Sequence, residues 1–155
     1  MLASLPPSPP SLTDKAYVYE PKVDGIRAIV EVLPAAPAPS VRFWSRNGNE
    51  KTAQFPDIVE AISAWLKKSR APVVLDGEIV ALDEEMRPAS FQRLQHRIHI
   101  TVPGFHSKKP ILAPGEQPTA FIAFDVLREG DDDLRSLPLT ERRKRLEALF
   151  KKHKA

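Results

Sequence analysis

Two runs rich in β-branched residues, Ile26–Leu33 and residues 73–82, constrain the fold most, because each adjoins a glycine flanked by charges. The first follows Glu20-Pro21-Lys22-Val23-Asp24-Gly25 and carries Arg27 as its second residue. The second contains Leu75-Asp76-Gly77-Glu78-Ile79-Val80. Charges inside an otherwise apolar strand break a local rule, and such breaks mark sites more often than cores. The pair therefore suggests strand edges that present a nucleophile, Lys22, and a carboxylate, Glu78, to a cleft.

The 155 residues suffice for one domain with a real core and not for two comfortable ones. With 42% hydrophobic and 28% charged residues the chain reads as a folding sequence. The absence of cysteine excludes disulfides, a thiolate nucleophile and sulfur-ligated zinc. The first residues lack a basic and apolar targeting pattern, and no run approaches a membrane span, so the expectation is a cytoplasmic protein without a membrane partner. The net charge of +3 is uneven: residues 142–155 hold seven Lys or Arg against Glu147 alone, leaving the remainder net acidic. A phosphate-binding patch is one reading of that excess, and a solvated helix face is the commoner one.

Residues 1–16, with Pro6, Pro7, Pro9 and Pro10, read as a disordered proline-rich tail before a patterned domain over 17–155. Ile26–Leu33, the loop 34–40 and residues 41–45 predict a hairpin, followed by a turn at Asn47-Gly48. Ile58, Ile62, Trp65 and Leu66 fall at i, i+4, i+7 and i+8, predicting a helix over 56–68 with Pro56 in its first turn. A short helix is expected over 90–97, a loop with at most one strand over 99–119, and an apolar strand over 120–127 ending near Asp125. A last helix is expected over 140–152, with Thr140 as N-cap and Leu146, Leu149 and Phe150 on its apolar side. Of Phe43, Trp44 and Trp65, at least two are expected in the core rather than as base-stacking platforms.

The chemistry of the first pattern follows from its residue types. A free lysine is protonated at neutral pH and attacks phosphorus only when neutral, so a nearby cation is needed to draw the proton off. Arg27, or magnesium carried by a nucleotide, could supply that charge, and the product would be a lysyl phosphoramidate with pyrophosphate leaving. His96 and His99 stand at i, i+3 without an evident third ligand, and Asp131-Asp132-Asp133 follows Gly130 in what reads as a solvated turn. No Gly-x-x-x-x-Gly-Lys loop occurs, which disfavours a P-loop NTPase.

Lys22-Val23-Asp24-Gly25 alone is weak. In order with Ser45-Arg46-Asn47-Gly48, the second pattern extended to Asp83, Ser90-Phe91-Gln92-Arg93-Leu94-Gln95, Phe124-Asp125-Val126-Leu127 and residues 137–143, it is specific. The set resembles the covalent nucleotidyltransferases, and within them the adenylation domain of bacterial ATP-dependent DNA ligases, including the ligase module of end-joining proteins. The resemblance runs from about Tyr17 to Phe150. It implies an α+β fold, an incomplete ATP-grasp-like adenylation domain with an antiparallel twisted sheet flanked by the helices over 56–68 and 140–152. It also implies that ATP adenylates Lys22, that Glu20 reads the adenine amino group, and that Arg27 and Glu78 hold the ribose, with Glu78 near Mg2+. Phe124 would stack on adenine, Arg46 would lie near the AMP phosphate and the nick 5′-phosphate, and nicked double-stranded DNA would be the partner in repair and recombination.

The family pattern continues with a Glu-Gly segment, a Lys-x-Lys segment and an OB-fold domain, none of which follows Phe150 here. The expectation is therefore a truncated domain, weak or inactive alone, with an open edge that invites self-association. An RNA ligase or capping-type nucleotidyltransferase is the alternative within the superfamily. A remnant that binds DNA or a protein without catalysis is the alternative outside it.

Overall fold

The computed structural model describes residues 7–98 and 118–153. Five antiparallel strands, β1 (Ile26–Leu33), β2 (Ser40–Ser45), β3 (Val73–Ala81), β4 (Thr119–Glu129) and β5 (Asp132–Asp133), form one sheet in the order β2-β1-β3-β4-β5. The expected hairpin is present, with Val30 opposite Phe43 and Val32 opposite Val41. Alternation decides its facing: Ala28, Val30 and Val32 are buried while the residues between them are not. Gly48, at φ +73°, supplies the left-handed residue of the turn after β2.

Helix α1 (Pro56–Trp65) lies against this face through Ile58 and Ile62, with Leu66 just beyond its end; the helix closes three residues short of the expected span. Residues 91–94 form a single 3-10 turn that leads into α2 (Gln95–Ile98). Helix α3 (Leu139–Lys152) runs along β4 and sends Leu146 and Leu149 into the same core, and its Phe150 stacks on Trp65 at 4.5 Å between ring centroids. Phe43 is fully buried and Trp65 packs against the core, as expected, whereas Trp44 is half-buried. The α+β architecture with an antiparallel sheet and these two flanking helices is the expected one.

Three boundaries differ. β4 begins at Thr119 and continues past Asp125 to Glu129, because Asp125 is not a strand end but a buried acid whose charge is met by Arg142 from α3. α3 begins at Leu139, so Thr140 is not its N-cap: Pro138 holds the cap position in extended geometry, and its carbonyl accepts from the N–H groups of Glu141 and Arg142. β3 runs as one strand through Asp76-Gly77-Glu78, where its polar residues predict an interruption, and its pairing with β4 shifts register there. His99 and most of the expected loop over 99–119 lie outside the described residues.

A second ion pair, between buried Arg97 and half-buried Asp57, joins α1, α2 and β4. Asp57 accepts two hydrogen bonds from Arg97, at 3.0 and 2.8 Å, and two from Thr119, from its hydroxyl at 2.6 Å and its N–H at 3.2 Å. Burial alone would raise the Asp57 pKa, but the Arg97 and Thr119 bonds outweigh it and hold the carboxyl below its ordinary value. A depressed carboxylate contributes stability that is present above its unfolded pKa and lost as pH falls through the folded one. Asp57→Asn will therefore be less stable than wild type at pH 7 by about 1–2 kcal/mol, with the gap closing as pH falls below about 4. Urea titrations at both pH values check this, and a gap independent of pH contradicts it.

Candidate active site

Residues 7–25, which precede β1, have neither helix nor strand, and the end of this segment is pinned to the sheet by close backbone approach. A Cβ on Gly25 would sit 2.1 Å from the Ile79 carbonyl oxygen, so only glycine lets the chain enter β1 beside β3. The Gly25 backbone lies against the Glu78 side chain, a Cβ there falling 2.9 Å from its Cγ, and its N–H draws the Glu78 pKa down. Asp24 accepts from the Phe91 N–H at 3.1 Å, tying the same turn to the segment after β3. Lys22 is thus exposed on a turn held at both sides, near enough to Glu78 to act on its charge.

Arg27 and Glu78 stand opposite each other in register across β1 and β3. Arg27 forks onto buried Asp76, Nε to Oδ1 at 3.0 Å and Nη2 to Oδ2 at 2.6 Å, which raises the guanidinium pKa and fixes its plane. Burial pushes the half-buried Glu78 carboxyl above its ordinary range, against the opposing pull of the Gly25 N–H, Arg27 and Lys22. A carboxylate short of solvation gains from any hydroxyl or cation brought to it.

Phe124 sits at an irregularity of β4: Asp76 pairs with Asp125 and Gly77 with Ala123, so Phe124 is the extra residue of a bulge. Bulges re-aim side chains, and the Phe124 ring lies 6.0 Å from the Arg27 guanidinium. Gly77 permits this crossing, since a Cβ there would fall 2.4 Å from both the Ile122 carbonyl oxygen and the Phe121 ring. Beside Phe124 opens a mainly apolar cavity of about 850 Å3, lined also by Glu20, Pro21, Val23, Ile122 and Arg143. The Glu20 carboxylate is 3.6 Å from Arg143 of α3.

The structure therefore brings Lys22, Arg27, Glu78 and Phe124 together where β1, β3 and β4 meet, with Glu20 on the adjoining cavity. Arg46 is exposed in the turn after β2, one residue past Ser45, the partner of Ala28. That register puts it at the same end of the sheet as Arg27. Among the described residues no group of three or more His, Asp or Glu could hold a metal. Sequence reasoning gave no role to Asp76 or Arg143, and to Asp24 only a place in the turn that aims the Lys22 amine. The one available signal was Asp76 itself, an acid inside an apolar strand, which implies a buried basic partner.

Four of the seven basic residues over 142–155 are paired locally. Arg142 forks onto Asp125, Arg143 faces Glu20 and Glu147, Lys144 faces Glu141, and Arg145 faces Glu129 and Asp132. These pairs favour a solvated helix face over a continuous phosphate-binding patch.

The folds and sequences of known proteins agree with this geometry. DNA ligase C of Mycobacterium tuberculosis is 38% identical over 149 residues, covering 92% of this chain and 37% of that protein. The multifunctional non-homologous end joining protein LigD of Pseudomonas aeruginosa is 36% identical, covering 96% of this chain and 15% of that protein. The ligase domain of M. tuberculosis LigD superposes with a TM-score of 0.63 at 31% identity, covering 86% of this chain and 36% of that one. A mycobacterial DNA ligase D complexed with ATP and MES gives the same TM-score at 30% identity over 85% of this chain and 36% of that one. The chain thus spans less than two fifths of the length of these relatives. No helix among the described residues is long and apolar enough to cross a membrane. The family of the ATP dependent DNA ligase domain matches residues 1–155, so that the lysine turn, the paired Arg27 and Glu78 and the bulged Phe124 stand in a chain that belongs to this family.

Proposed function

We propose that the chain carries the adenylate-forming site of an ATP-dependent DNA ligase, with Lys22 as nucleophile. The observation that carries the reading is the exposed Lys22 on a turn whose Gly25 packs against Glu78, beside an Arg27 fixed between Asp76 and Phe124. ATP enters with its adenine in the cavity against Phe124 and its ribose toward Arg27 and Glu78. The exposed Lys22 amine loses its proton to solvent and attacks the α-phosphorus. The N–P bond forms, the bond to the bridging oxygen breaks, and pyrophosphate departs with the electron pair.

Arg27 acts by position, since its guanidinium is already oriented and loses little freedom on meeting the nucleotide. Magnesium arrives as part of the ATP substrate and neutralises phosphate charge, with Glu78 able to offer it a single carboxylate. The lysyl-AMP then activates the 5′-phosphate of nicked double-stranded DNA, with Arg46 near that phosphate.

Incubation with magnesium and α-labelled ATP tests the reading. Label is expected to stay on the protein through denaturation and to leave as ATP when pyrophosphate is added, while γ-labelled ATP leaves none. Retention of the γ-label contradicts the reading, and stronger labelling from GTP favours a capping-type enzyme.

A further inference from the structure

We propose that Arg143, near the start of α3, is a positioning residue that orients Glu20 and thereby sets the preference for adenine over guanine. The inference rests on the nucleotide site described above. A carboxylate accepts from the 6-amino group of adenine and repels the 6-oxo group of guanine, so it discriminates only if its oxygens face the base. Glu20 lies outside any helix or strand, and its side chain is 54% exposed, so nothing in its own backbone selects one rotamer.

Arg143 supplies the missing constraint. Its guanidinium stands 3.6 Å from Glu20 Oε1, an ion pair longer than a hydrogen bond, so the carboxylate keeps its capacity to accept from a ligand. Arg143 is itself held by Glu147 at 3.1 Å. Its backbone is fixed by the neighbouring Arg142, which forks onto buried Asp125 and donates to the Leu137 carbonyl. Arg143, Glu20 and Phe124 line the same cavity, so the pair flanks the ring that would carry the base.

Competition of ATP and of GTP against a fluorescent adenine nucleotide, on the 155-residue chain, separates orientation from simple attraction of phosphate. Arg143→Met is expected to lower the ATP-over-GTP preference roughly three- to ten-fold, with Arg143→Lys restoring part of it. Lys152→Ala removes the same charge from the same helix and is expected to leave the preference unchanged. Glu20→Gln is expected to mimic Arg143→Met, and the double variant to add nothing further. Equal weakening of both nucleotides by Arg143→Met, or no change in either, overturns the proposal while leaving the nucleotide site standing. A wild-type chain that binds neither nucleotide overturns both.

Discussion

Arg142→Met will destabilise the protein by about 3–5 kcal/mol, on the order of a 10 °C fall in melting temperature for a domain of this size. Both partners of the Arg142–Asp125 pair are nearly inaccessible, their side chains 7% and 9% exposed. Arg142 gives Asp125 three hydrogen bonds of 2.8–3.1 Å, and its raised pKa has that bonding as its first cause. Removing the guanidinium strands a buried carboxylate that otherwise accepts from the Val126 N–H at 2.9 Å. Arg142→Met with Asp125→Leu removes both charges and will recover much of the loss, because desolvation of a lone ion is then avoided. A single variant that melts within about 2 °C of wild type contradicts the assignment of this pair as the joint between α3 and the sheet.

The same pair explains where the sequence could be read and where it could not. β1, β2 and α1 were legible because period-2 and period-3.6 patterns in short windows report which residues are buried, and Ala28, Val30, Val32, Ile58 and Ile62 are indeed the buried ones. Asp125 inside an apolar run looks like a terminus to any such window. Its partner lies seventeen residues away and arrives only through tertiary packing. Thr140 looks like a cap for the same reason, since local chemistry favours it while the demand for Arg142 at Asp125 sets where α3 begins.

The site divides in the same manner. Lys22, Arg27, Glu78 and Phe124 were legible as ordered motifs, because the residue types that bind and attack a nucleotide are few. The groups that hold them were not. Asp76 under Arg27, Gly25 against Glu78 and the bulge that turns Phe124 toward Arg27 depend on strand register, which no single segment encodes.

Lys22→Ala will reduce covalent labelling by ATP to background while leaving stability within about 0.5 kcal/mol of wild type. The first effect is total, because without the amine no N–P bond can form. The second is small because Lys22 is exposed and substitution there empties no core. Lys22→Arg will also fail to label, since the guanidinium keeps its proton and is a poor nucleophile despite its equal charge. The two variants together separate a chemical requirement for the amine from a need for positive charge.

Peptide mass spectrometry after incubation with magnesium and ATP tests the central claim most directly. The account predicts one adduct with the mass of AMP less water, on Lys22 and on no other lysine. An unmodified Lys22, with or without an adduct elsewhere in the chain, contradicts it.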